Sequence, residues 1–159
     1  KVTQDITIRA NWAVVNSYTV TVAGNGGTCT PGTHTVNSGS SSSSQTCSRT
    51  GYTFSSFSIT SGSCGGTFNT STGVCSNVTS AFTMTANWTI RQYSMSVDGH
   101  GGTCSPGSHY VNYGSSSQAQ TCTRTGYTFD GFPIYSGSCG GTFNSSTGVC
   151  SYMANNMSI

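Results

Sequence analysis

The sequence predicts a mainly β protein made of two small, disulfide-stapled modules in tandem, and three observations carry that expectation. Ser and Thr make up about a third of the 159 residues and Gly adds 21. These residues loosen or compete with helices, whereas Thr, Tyr, Phe and Val suit pleated strands. The chain also holds 8 cysteines with little aliphatic material for a core, which marks a disulfide framework and an oxidising compartment. Finally, the sequence repeats itself at an offset of 75 residues without a gap. Cys29, Cys47, Cys64 and Cys75 map onto Cys104, Cys122, Cys139 and Cys150, and about 42 of the 69 positions in 16–84 are identical in 91–159.

The repeat sets the organisation. Residues 1–15 read as the closing strand of a preceding or neighbouring unit, 16–90 as the first repeat unit, and 91–159 as the second, with its closing strand incomplete. Within a unit, Tyr18, Val20 and Val22 alternate with Thr19, Thr21 and Ala23, and Tyr93, Met95 and Val97 repeat the pattern. This is a half-buried strand running into a Gly-rich turn. A strand is expected around Thr33–Val36, followed by a flexible polar connector at Ser40–Ser44. Tyr52, Phe54, Phe57 and Ile59 predict a strand broken at Ser55-Ser56, or at Asp130-Gly131 in the copy. The closing strand puts Val78, Phe82, Met84 and Trp88 on one apolar stripe with Thr83 and Thr85 opposite. Four or five short strands per unit result, with little or no helix and a core made mostly of aromatic residues.

Val2–Trp12 repeats the pattern of Val78–Trp88 down to the final Ala-Asn-Trp, so Val2, Ile6, Ile8 and Trp12 form a candidate assembly strand. Two explanations fit. In one, the 159 residues are a stretch of a longer array of similar units, or a mature fragment of a longer chain. In the other, residues 1–12 of one subunit complete the open sheet edge of the next, a head-to-tail contact that builds a filament.

Four cysteines per unit allow three pairings, and repeat symmetry asks for the same one in both units. Pairing Cys29 with Cys47 and Cys64 with Cys75, and likewise Cys104 with Cys122 and Cys139 with Cys150, closes local loops. Each such loop stabilises a module by roughly 3 kcal/mol on the chain-entropy account. Zinc cysteines come as close pairs such as C-x₂-C, so these spacings predict no metal and no cofactor.

Only 5% of the residues are Asp, Glu, Lys or Arg, against an ordinary ~25%. Asp5, Asp98 and Asp130 are the sole carboxylates, which excludes paired-carboxylate catalysis and an all-oxygen calcium cage. Lys1, Arg9, Arg49, Arg91 and Arg124 give a net charge of +2, too little for nucleic acid or an anionic membrane. No apolar run is long enough to span a bilayer. His100, Cys104 and His109 lie close together, but Asn25 replaces His100 in the first unit, and a disulfide removes the thiolate that Cys/His catalysis needs. The Gly-Gly-Thr motifs lack the Lys of a phosphate loop, and no Gly-x-Ser-x-Gly elbow exists. No enzyme is predicted. The Thr-x-Thr pairs are too irregular for an ice-binding face. Sequons at Asn69, Asn77, Asn87, Asn144 and Asn156 are candidate glycosylation sites, as are the hydroxyls of the 40–44 tract, although a composition this rich in Asn, Ser and Thr produces several sequons by chance.

The order of an alternating strand into Asn25-Gly26-Gly27-Thr28, then Arg-Thr-Gly-Tyr-Thr-Phe, then a closing Ala-Asn-Trp resembles the internalin-type B-repeat, also called the Listeria and Bacteroides repeat. Thr125–Phe132 is the most specific stretch, and the likeness covers both units and the N-terminal strand. It implies a compact β-grasp-like module strung in tandem along bacterial surface proteins, with no catalytic residues to carry over. Phe57 and Phe132 stand where that repeat has Trp, the four cysteines per unit are extra, and the stretch after Cys29 is Ser-rich where that repeat has a more ordinary strand, so a disulfide-closed Ser loop is expected in place of the β-grasp helix. The function expected is structural: an extracellular stalk, fibre or helical filament on a bacterial surface, in which the chain partners itself or flanking repeats. The alternative is an adhesin module that binds glycans or a host protein through Tyr110, Tyr113 and Tyr135, which replace Thr35, Ser38 and Thr60 of the first unit.

Overall fold

A computed structural model describes residues 3–159, so Val2 of the candidate assembly strand lies outside the described residues. Among the described residues there is no helix, and so none long and apolar enough to cross a membrane. The first repeat contains β1 (Ser17–Ala23), β2 (Thr28–Thr30), β3 (His34–Asn37), β4 (Thr46–Ser48), β5 (Tyr52–Gly62) and β6 (Phe82–Ile90). The second contains β7 (Gln92–Ser96), β8 (Thr103–Ser105), β9 (His109–Asn112), β10 (Thr121–Thr123), β11 (Ser136–Gly137), β12 (Phe143–Asn144), β13 (Val149–Cys150) and β14 (Met157–Ser158). By compactness the chain falls into two bodies, Lys1–Cys47 with Ser56–Ala86, and Ser48–Ser55 with Asn87–Ile159.

Each repeat is a four-stranded mixed sheet. The order is β3-β1-β6-β5 in the first and β11-β14-β7-β9 in the second. Alternation explains the inner strands: along β6, Phe82, Met84 and Ala86 are buried while Thr83 and Thr85 are half-exposed. The last strand lies parallel to the first, with Val20 opposite Phe82 and Val22 opposite Met84, and Met157 opposite Met95 in the copy. Parallel neighbours need a long crossover. Here it is made of disulfide-closed loops instead of a helix.

Those loops are bonded throughout, which corrects the expectation of a flexible connector at Ser40–Ser44. Ser42 and Gln45 are buried. The Ser42 hydroxyl accepts from Cys75 N at 2.8 Å, and Gln45 Oε1 accepts from Gly32 N at 2.8 Å. His34 donates from Nδ1 to Gly32 O at 2.7 Å and accepts Ser43 N–H at Nε2, 3.1 Å. Ser117, Gln120 and His109 repeat these bonds in the second copy. A buried polar group without a partner costs about 1–3 kcal/mol. The pattern of Ser and Gln that looks featureless in one dimension is what satisfies the crossover.

All eight cysteines are paired: Cys29–Cys47 staples β2 to β4, Cys104–Cys122 staples β8 to β10, and Cys64–Cys75 and Cys139–Cys150 sit against the core. The core differs from the aromatic one expected. Phe57, Phe82 and Phe132 are its buried rings, but Met84, Met95, Met153, Met157, Val20, Val36, Val78 and the cystines fill most of it. Unbranched Met and small cystines fit the irregular gap beneath short strands, and tyrosine keeps its hydroxyl near water. β5 also runs unbroken through Ser55-Ser56, whereas its counterpart keeps strand geometry only at Ser136–Gly137.

Ser117→Ala is expected to cost about 1–3 kcal/mol by stranding the Cys150 N–H, while Ser116→Ala, whose exposed hydroxyl donates to Ser151 O, stays within about 0.5 kcal/mol. Denaturant midpoints of the oxidised protein measure both.

Candidate assembly groove

Phe54 and Phe129 are counterparts in the repeat, and their surroundings differ. In the first repeat β6 continues past Met84 through Thr85–Ile90. On that stretch Ala86 O accepts from Asn25 Nδ2 at 3.3 Å, and Trp88 meets Phe54 edge-on with ring centroids 5.7 Å apart. Arg91 N then donates to Gly51 O at 2.9 Å. Tyr52 and Phe54 are accordingly half-buried.

In the second repeat the register is kept only as far as Ile159, which donates to Ser96 O at 2.9 Å and accepts from Asp98 N at 2.8 Å. Beyond it lies a cleft of 530 Å³, lined by His100, Arg124, Tyr127, Phe129, Tyr135 and Ile159 among others. Tyr127 is 66% exposed and Phe129 45%. The floor is built: Phe129 packs on buried Phe132 at 4.7 Å. Arg124 lies over the Tyr127 ring at 3.9 Å and donates from Nη1 to His100 O at 2.9 Å, as Arg49 lies over Tyr52 at 3.8 Å. Cation–π stacking of this kind holds a guanidinium without a carboxylate.

Gly51 and Gly126 are the matching turns, both left-handed, with φ of 76° and 79°. A Cβ at Gly51 would fall 1.9 Å from Tyr113 Cδ1, whereas one at Gly126 would meet nothing within 4 Å. Tyr113 itself packs between Tyr93, tilted at 6.4 Å, and Tyr152, edge-on at 5.4 Å. A hydrogen bond with Tyr113 raises the Tyr152 phenol above the ordinary tyrosine range, helped by desolvation and by the Tyr113 and Tyr93 phenols.

The other marked residues are dispersed. Ile6, Ile8 and Trp12 lie in a segment without strand structure, and Ile8 and Trp12 are 90% and 92% exposed. Tyr110 and Tyr135 are exposed; Tyr113 is half-buried in its aromatic cluster. Asn69 and Asn144 turn their Oδ1 back onto the N–H groups two and three residues on. Asn77 and Asn156 are exposed, and Asn87 is half-buried in β6. His100 holds a left-handed turn position, φ 44°, as Asn25 does at 48°. No group of His, Cys, Asp or Glu among the described residues is arranged for a metal. Sequence reasoning marks Arg124, Tyr127 and Phe129 only as part of the repeated Arg-Thr-Gly-Tyr-Thr-Phe block and assigns them no site. The signal that finds them is the 75-residue offset, once Trp88 is known to lie on Phe54.

The model of the divergent InlB B-repeat domain matches the chain twice, over residues 18–92 and 93–159. Comparison with curated proteins and with solved structures gave no match.

Gly126→Ala is expected to cost only the left-handed strain of about 1–2 kcal/mol, and Gly51→Ala a further 1–3 kcal/mol, roughly, from the clash with Tyr113; thermal unfolding ranks the two. Tyr113→Phe removes the hydrogen bond that favours protonated Tyr152, so in a spectrophotometric titration one tyrosine signal moves to lower pH.

Proposed function

Because the chain belongs to the InlB B-repeat family, in its divergent form, we propose that it is a structural element of a bacterial surface stalk, fibre or helical filament that partners copies of itself or flanking repeats. The carrying observation is the double family match on a gapless repeat, with each copy closed by its own two disulfides. The family is one of repeat domains of surface proteins, and four disulfides suit an extracellular setting. Tandem modules joined by short connections give length without a large core. A net charge of +2 spread over 159 residues lets copies pack side by side with little repulsion.

A second reading, a recognition module for glycans or a host protein, is favoured by the exposure of Tyr110, at 75%, and of Tyr135. Exposed tyrosines, apolar along the ring and polar at the hydroxyl, are enriched at binding interfaces. Tyr113 contributes less to it, since its ring already packs between two others.

Electron microscopy of the purified chain at rising concentration tests the first reading. Uniform polymers support it. Monomers that bind a glycan array, and lose binding on Tyr110→Ala, support the second.

A further inference from the structure

We infer that Tyr113 and Tyr152 form an oxidative cross-linking site, at which a haem peroxidase and hydrogen peroxide join the two rings into a dityrosine within one chain. Tyr113 follows β9 and Tyr152 follows β13, so the rings come from distant parts of the second repeat. Their centroids lie 5.4 Å apart with 75° between the ring planes, and a hydrogen bond holds the two phenol groups together. Each ring lies on a glycine. A side chain at Gly51 would collide with the Tyr113 ring, and a Cβ at Gly114 would stand 3.4 Å from Tyr152 Cε2 and 3.9 Å from its hydroxyl. Backbone bonds fix the segments that carry the rings: Gly114 N–H donates to Met153 O at 2.9 Å, and Met153 N–H donates to Ser115 O at 3.0 Å.

The pair is particular to the second repeat. Ser38 and Asn77 hold the same positions in the first, so the fold does not require two rings there. Neither ring belongs to the buried core: Tyr152 is 37% exposed and Tyr113 is half-buried. Exposure lets the oxidant reach Tyr152, and ring contact carries the oxidation to Tyr113. Each phenol gives up one electron and one proton, which leaves a phenoxyl radical with spin density on the ring carbons ortho to oxygen. One ortho carbon of each ring lies next to the hydrogen-bonded oxygens, and these two carbons form one C–C bond. Each then loses its hydrogen to the neighbouring oxygen, which restores the phenol. The two electrons and two protons reduce one hydrogen peroxide to two waters. The product ties the end of β9 to the stretch after β13, a covalent closure beyond Cys104–Cys122 and Cys139–Cys150.

The test treats the dilute full chain, disulfides intact, with a haem peroxidase and hydrogen peroxide, then unfolds it and digests it with trypsin without reduction. Cleavage after Arg91 and Arg124 releases 92–124 and 125–159, each holding its own disulfide, so only a new bond keeps them together. The expected product is a joined species two hydrogens lighter than the sum of its fragments, with dityrosine fluorescence. Before digestion the cross-linked monomer melts roughly 10 °C higher than the untreated chain. Tyr113→Phe and Tyr152→Phe, which keep the rings, each lose the joined species, whereas Tyr110→Phe and Tyr135→Phe keep it. Fragments that separate after treatment, a joined species that survives Tyr113→Phe or Tyr152→Phe or requires Tyr110, or cross-links found only between chains overturn the inference.

Discussion

Each repeat depends on one pairing, the parallel contact between its last strand and its first. Antiparallel hairpins form from neighbours in sequence, but β6 must return across the whole repeat to lie between β1 and β5. Without that insertion the β3-β1 hairpin and β5 would share no edge, and Phe57, Met84 and Val20 would have no common interior. The second repeat shows the same constraint half-met. β14 holds two residues on β7, and the segment that would be its outer neighbour has strand geometry only at Ser136–Gly137. Thr-Gly-Tyr-Thr-Phe is the same in both copies, so local residue preference does not set the difference between Tyr52–Gly62 and its counterpart.

Such a long-range closure carries a large entropy cost in the unfolded chain. Two disulfides per repeat reduce it by tying the crossover into short loops. The loops then need neither helix nor apolar filling, because Ser42, Gln45 and His34, and their counterparts Ser117, Gln120 and His109, satisfy the backbone from within. The hydroxyl-rich composition is thus part of the architecture.

How much of this was legible in the sequence varies by element. The repeat, the all-β character and the alternating strands at Tyr18–Val22 and Phe82–Ala86 were plain, because period-two burial writes itself directly into residue order. The order of the serines was not. Ser41 and Ser42 are neighbours and identical, yet one is exposed and the other buried against Cys75 N, a difference set by tertiary approach alone. The expected break at Ser55-Ser56 failed because pairing within the sheet overrides the weak strand preference of serine. The cleft was half-legible. The likeness of the second repeat to the first could be read from the 75-residue offset, but the cleft's floor of Phe129, Tyr127 and Arg124 needed the packing of Trp88 on Phe54.

The scarcity of formal charge has a final physical consequence. Dissolved ions weaken proteins held by exposed ion pairs, since a Debye length near 8 Å at physiological ionic strength screens them. Here guanidinium groups rest on tyrosine rings, loops are tied by neutral hydroxyls and amides, and modules are closed by covalent sulfur. Little in that arrangement responds to the salinity of the surroundings, so the same cohesion holds in dilute water and in brine.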